Sequence, residues 1–388
     1  MADYKMIGRI LNELCGPYVI DTDKEYYRDL HGRLKKLVDL LNALDVDDDI
    51  IHKAENFRNR LLKVSREYFK GNIVQAQSSM NSIIAEFVKS GDKSVSYIDK
   101  CSAFPDTETE IQFFRARLDA PEDGFSAKDM RHIPFTKRTK GSTERFSMPG
   151  FPCFYLGNTS YDCWLEMGMP ADNRFHVSPV RLDGTQRVFN LAVSAYDIVD
   201  TNSDGTGIKY AQIKTGAEDL ILFIHRIMLM IAASYRIREK DRNFKSEYII
   251  PQLIMLSCKN QGLDGIVSYT VKVSNEVFSR VCGINVTLFA KYPGNRFDST
   301  AEYSDIFDHI EMDDAFSFSM FKQINQMEPL DMFRLKVEDS PLIKSINYGS
   351  FEKQFDYRET EFYDFDKFLF YEWEKAKQRR KRWDDKKS

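Results

Sequence analysis

The hydrophobic pattern of this chain changes period near residue 110, and that change sets what it can fold into. Before it, Leu30, Leu34, Leu37, Leu41 and Leu44 recur at spacings of four and three. This is the apolar stripe of an amphipathic helix, with charged residues between. Thr22 and Asp23 can cap that helix, with Glu25 giving a capping-box pattern from Thr22. Asp47-Asp48-Asp49 separates it from a second stripe, Phe57, Leu61 and Val64. After Gly71 a third runs through Ile73, Ala76, Met80, Ile83 and Phe87, and Ser90-Gly91-Asp92 ends it. Three helices with short connections predict an antiparallel bundle in an N-terminal module, residues 1–105.

Beyond residue 110 the period falls towards two. Phe113-Phe114-Arg115-Ala116-Arg117-Leu118 alternates as a strand does. A polar, basic loop follows, from Pro121 to Glu144. Further strands are expected over 177–182, 188–191, 266–273 and 284–290, and helices over 216–237 and 246–260. Strands with helices between them, but without the Gly-rich turn of a doubly wound sheet, predict an α+β domain over 106–294. Residues 295–388 read as an acidic, aromatic-rich extension whose basic end, KQRRKRW, frays into solvent.

Composition excludes several classes. The net charge of −4 gives no overall basic field, and Asp384-Asp385 follows the basic run, so a nucleic-acid partner is not expected. The six cysteines form no CxxC pair, which reads as reduced, buried thiols in a cytoplasmic protein, not a disulfide frame or a metal site. The most apolar run, Leu220 to Ser234, contains His225 and Arg226 and is too short to span a bilayer. It reads as a buried helix, with His225 as a core residue. The opening MADYKMIGRILNELCG is charged throughout, unlike a signal peptide. Arg58-Asn59 could begin a helical ribonuclease motif, but no histidine general base follows at the needed spacing.

Chemistry concentrates between Arg145 and Glu166, RFSMPGFPCFYLGNTSYDCWLE. Pro149, Gly150 and Pro152 stiffen a loop, Cys153 to Leu156 form a strand, and Gly-Asn-Thr-Ser turns into a helix that bears Glu166. An arginine fork can grip a phosphate or a ribose hydroxyl. A tyrosine ring can stack on a flat heterocycle. A fixed carboxylate stabilises the positive charge that develops on a ribose when its C1′ bond breaks. Arg115 lies on an apolar strand, where a charge needs either a carboxylate or a ligand.

In their order, these pieces resemble the RES-domain family. Its Gly-Arg-Trp-Asn run, Pro/Gly turn, Tyr-centred strand and Glu are matched by Glu144-Arg145-Phe146-Ser147, Pro149-Gly150, Tyr155 and Glu166. Phe114-Arg115-Ala116-Arg117 resembles its leading Tyr-Arg segment. Glu247 to Gln252, Asp264-Gly265-Ile266 and Gly283 to Phe289 resemble its later pieces, so the match covers roughly 110 to 292. Two departures stand out: Glu144 and Ser147 replace the family's Gly and Asn, and Gly265-Ile266-Val267-Ser268-Tyr269-Thr270 replaces Gly-Ile-x-Tyr-x-Ser. Thr270 falls on the serine column and Ser268 on the tyrosine column. Both stand as candidates, and strand parity favours Thr270.

The resemblance implies an ADP-ribosyltransferase-like split-sheet fold and a toxin that degrades NAD by cleaving its nicotinamide–ribose bond. NAD would be substrate and water or phosphate the acceptor, as in a glycohydrolase or a phosphorylase, with no cofactor and no metal. Glu166 would steady the cationic ribose, and Arg115 would hold the phosphate or nicotinamide-ribose end. Thr270 would bond to sugar or phosphate. Tyr155 would stack near the nicotinamide, and Arg145 would order the loop or contact the pyrophosphate. Arg117 and Ser268 join them as substrate-binding candidates. A helix-turn-helix antitoxin is the implied partner, and the N-terminal bundle is a candidate docking or dimerising module that would make a homo-oligomer. ADP-ribosylation of a macromolecule and a catalytically inactive binding module are the alternative readings.

Overall fold

The computed structural model describes residues 14, 16–20, 25–44, 46–104, 111–193, 199–203, 209–213, 217–239, 242–272, 283–292, 302–327, 347–348, 355–357 and 360–384. In chain order the principal elements begin with helices α1 (Tyr26–Ala43), α2 (Asp48–Phe69) and α3 (Ile73–Ser90). Strands β1 (Val95–Tyr97), β2 (Ile111–Leu118) and β3 (Cys153–Gly157) follow, then helix α4 (Ser160–Glu166). Next come β4 (Phe175–Leu182), β5 (Arg187–Asn190), α5 (Ala217–Ala233), α6 (Ile249–Asn260) and β6 (Gly265–Tyr269). The chain continues with β7 (Ile284–Phe289), β8 (Ile310–Met312), α7 (Phe318–Met327) and α8 (Glu361–Asp384). The class is α+β, as the change of period predicts.

The chain divides into two compact units that do not follow chain order. The first comprises 1–103, 142–149 and 186–279; the second comprises 104–141, 150–185 and 280–388. The three consecutive sequence segments therefore do not map onto them one to one. The N-terminal helices share a unit with residues 186–279, and the C-terminal helix shares one with 111–118.

In the first unit the stripes of α1, α2 and α3 are buried: Leu30, Leu34, Leu37 and Leu41, then Phe57, Leu61 and Val64, then Ala76, Met80, Ile83 and Phe87. Helix α1 starts at Tyr26, with Glu25 extended at its N-cap and making no side-chain capping bond, while Thr22 and Asp23 lie outside the described residues. Asp47 caps α2 by accepting the Asp49 amide at 2.9 Å. Helix α3 ends on Gly91 at φ 70°, a left-handed geometry that glycine adopts without Cβ strain. The apolar run is helix α5, where His225 stacks on Phe57 at 4.0 Å. Burial lowers the His225 pKa to about 4, so it is a neutral core residue. Strand β6 pairs parallel to β5 and β1 pairs antiparallel to it.

The second unit holds a wholly antiparallel sheet in the order β8-β4-β2-β3-β7. Its two faces follow from the pleat. Phe114 and Ala116 of β2 and Phe175 and Val177 of β4 turn to one face, where they bury with Phe365, Phe368, Phe370 and Trp373 of α8. The aromatic C-terminal segment is thus core-forming. Its basic end is helical as far as Asp384, not frayed as expected.

Of the cysteines, Cys101, Cys153, Cys163 and Cys258 are buried thiols; Cys15 and Cys282 lie outside the described residues. Among the described residues no helix is long and apolar enough to cross a membrane.

Candidate functional site

Strands β2 and β3 share a single register pair, Phe114 opposite Gly157. Arg115 comes next on β2. Its Nη1 donates to the Tyr155 carbonyl at 2.9 Å and its Nε to the Met130 carbonyl at 3.0 Å. The guanidinium thereby satisfies backbone groups that ladder bonds do not reach. It lies 5.0 Å from the centroid of the Phe154 ring. Two residues on, Arg117 shares the same side of the strand and donates from Nη2 to the Arg131 carbonyl at 2.8 Å. Arg131 rests over the rings of Phe307 and Tyr303, at 4.9 and 5.4 Å.

Among the described residues, no carboxylate comes within 4.0 Å of Arg115, Arg117 or Arg131. All three are half-buried. Burial, then the neighbouring charge of Arg117, pulls the Arg115 pKa down to about 10. It remains a cation at neutral pH. Among the described residues, the salt bridge that would give Arg115 a purely structural reading is not formed. Buried His132 adds no competing charge, because burial lowers its pKa to about 4. Its Nε2 accepts the Ser304 amide at 3.0 Å, and its Nδ1, protonated in that tautomer, faces the Ile133 carbonyl at 2.8 Å.

Glu166 closes α4, a helix of seven residues. Asn285 at the start of β7 donates from Nδ2 to Glu166 Oε1 at 2.7 Å, which fixes the carboxylate. Gly157 lets the helix approach the strand: a Cβ there would lie 2.9 Å from Cys163 Sγ and 3.1 Å from the Thr159 carbonyl. Cys163 donates to the Phe114 carbonyl at 3.3 Å and packs on the face closed by α8. One turn before Glu166, Asp162 is fully buried and shares a 2.7 Å hydrogen bond with the Thr159 hydroxyl. Its Oδ1 has no partner among the described residues, and burial raises its pKa to about 7.

The remaining sequence candidates belong to the first unit. Arg145 donates from Nη2 to Ser268 Oγ at 2.9 Å and to the Tyr269 carbonyl at 2.8 Å. Gln252 holds the same loop, its amide donating to the carbonyls of Ser147 at 3.1 Å and Glu144 at 3.3 Å. Thr270 directly follows β6, is fully buried, and accepts the Lys272 amide on Oγ1 at 3.2 Å. The geometry thus joins Arg145 to Ser268 in the first unit, and Arg115 to the Tyr155 backbone in the second. Four contributors carry no role in the sequence reading: Arg131, Asn285, Asp162 and Gln252. Asn285 was visible only as a polar residue opening an apolar strand, and Arg131 as one charge in a basic loop.

Comparison with known proteins gives limited company. No family profile matches the chain. A Bacillus subtilis (strain 168) protein named "Putative toxin YopC" is 32% identical over 238 residues, which are 60% of this chain and 49% of that protein. The matched part thus spans about half the length of that relative. Among solved structures, a chain of the M. tuberculosis MbcT–MbcA toxin–antitoxin complex aligns with 64% of this chain and 97% of its own length, at 11% identity and a TM-score of 0.30. A likeness at that level carries no argument about fold or function.

Proposed function

We propose that this chain is an NAD-consuming enzyme of the RES type, a toxin or defence effector that cleaves the nicotinamide–ribose bond. The observation that carries the reading is in the second unit. A carboxylate fixed by Asn285 stands at the end of a short helix, and among the described residues three half-buried arginines of the same unit have no carboxylate within 4.0 Å. Half-buried cations outside any close ion pair among the described residues suit an anionic ligand such as a pyrophosphate. The parting of β2 from β3 supports the split-sheet reading of the fold, and the toxin name of the B. subtilis relative supports the biological one.

The chemistry asks little of the protein. The C1′–N bond breaks and its electron pair neutralises the nicotinamide ring. Water adds its oxygen to C1′ and releases a proton to solvent. Glu166 stabilises the cationic ribose between those events. Arg115 and Arg117 hold the anionic part of the substrate, and Tyr155 offers a ring to the nicotinamide. Arg145, Ser268 and Thr270 are proposed as further contributors to substrate binding. Restraint by a helix-turn-helix antitoxin and self-association belong to the same proposal.

Purified protein incubated with NAD, alone and with cell lysate, tests it. Free nicotinamide without labelled macromolecules is the expected result. Label on protein or nucleic acid would change the acceptor to a macromolecule. Intact NAD in both arms would remove the enzymatic reading in favour of a binding module.

A further inference from the structure

We propose that Asp366, on the C-terminal helix α8, is a positioning residue for Glu166. The inference rests on the reading of Glu166 as the carboxylate that serves the reacting ribose. Helix α4 has seven residues, too few to hold itself by its own ladder. Its N-terminal amides need outside acceptors. The Asp162 amide finds Thr159 Oγ1 at 3.0 Å. The Ser160 amide, the first of the helix, donates to Asp366, 3.1 Å from Oδ1 and 3.4 Å from Oδ2. Asp366 is itself fully buried and is fixed by the Tyr357 hydroxyl, 2.5 Å from Oδ2.

Ring contacts reinforce the cap. Phe362, one turn before Asp366, packs its ring 5.1 Å from Tyr161 and 5.5 Å from Trp164 of α4. On its other side α4 is pressed against Gly157, where a single added methyl would collide with Cys163. The helix has no slack to take up the loss of a cap. Glu166 then inherits its position from a residue 200 positions later in the chain. The C-terminal segment is accordingly part of the machinery that aims the carboxylate. Burial raises the Asp366 pKa to about 8, so at neutral pH it is largely a neutral acid, which asparagine imitates in shape and charge.

The test uses the full chain with Asp366→Ala, Asp366→Asn and Ser160→Pro. Proline suits the first helical position and deletes the donor that Asp366 accepts, together with the Ser160 hydroxyl that donates to the Phe362 carbonyl at 3.5 Å, so it serves if the alanine variant fails to fold. Hydrogen exchange of the α4 amides is measured beside NAD cleavage. Asp366→Ala and Ser160→Pro should speed exchange across 161–166 about tenfold, with β4 amides unchanged, and lower kcat about 10- to 100-fold at a KM within about threefold. Asp366→Asn should stay within about threefold of wild type in both readouts, because its side-chain oxygen still accepts the Ser160 amide. Wild-type exchange in a folded Asp366→Ala or Ser160→Pro protein overturns the proposal. So does a loss in Asp366→Asn equal to that in Asp366→Ala. Exchange needs no turnover, so a wild-type protein that leaves NAD intact would sink the functional reading while this arm still decides the positioning.

Discussion

The two faces of the β2–β4 sheet treat arginine in opposite ways. On the face closed by α8, Arg181 of β4 is paired with Glu374 and covered by the Trp373 ring at 4.7 Å. Its charge is balanced within the unit, and its side chain is only 12% exposed. On the other face Arg115 and Arg117 of β2 spend hydrogen bonds on carbonyls and form no ion pair within 4.0 Å among the described residues. A partly buried cation without a counter-ion costs stability, and a fold keeps it when something outside the fold supplies the anion. The balanced arginine is a packing residue. The unbalanced pair is the better candidate for binding.

Substitutions on the two faces should therefore part company. The largest effect is expected at Arg115. Arg115→Ala should lower nicotinamide release at least about 100-fold and also lower the melting temperature, since two carbonyls lose their donor. Arg115→Lys should rescue stability better than rate, because a point charge cannot reproduce the fork. Arg117→Ala should weaken ADP-ribose binding about tenfold by calorimetry with little change in melting, and the loss should shrink at high salt. If both variants bind ADP-ribose as wild type does, the contrast between the faces has no functional meaning.

The closed face yields smaller effects on stability. Asp366 keeps its proton in the folded state up to about pH 8, whereas the unfolded chain releases it near the ordinary carboxylate value. The folded state then binds more protons, so stability falls as pH rises towards 8. Asp162 adds the same sign up to about pH 7. Chemical denaturation between pH 7 and 8 should show a loss of about 1 kcal/mol that Asp366→Asn flattens. A rise in stability over that interval would contradict the sign. Smallest is Glu374→Gln, expected to cost up to about 1 kcal/mol and to leave NAD cleavage unchanged. A loss of rate there would mean that Arg181 is not merely structural.

Much of the frame was legible because it repeats. The leucine stripe of α1 and the alternation of β2 are periodic signals, and both elements formed where the period placed them. Glu166 and Arg115 were legible as side chains on rigid backbone. Their partners were not. Asn285 lies 119 residues from Glu166, and Asp366 lies 206 residues from the amide that it caps. Neither pairing leaves a local trace, because each is set by how strands and helices stack and not by spacing along the chain. The unit boundaries escaped for the same reason: the loop 142–149 belongs with residues 186–279 through bonds such as Arg145 to Ser268 and Gln252 to Ser147. The end of the chain misled for a different reason. A dense basic run reads as solvated, yet it continues a helix whose preceding turns are buried by Phe365, Phe368 and Trp373.

The most direct measurement compares nicotinamide release from NAD by the full chain and by its Glu166→Gln variant at equal folded concentration. Release by the wild type and a fall of about 100- to 1,000-fold in the variant, with melting unchanged, is the predicted result. Equal rates in the two proteins, or no release from either, would contradict the account.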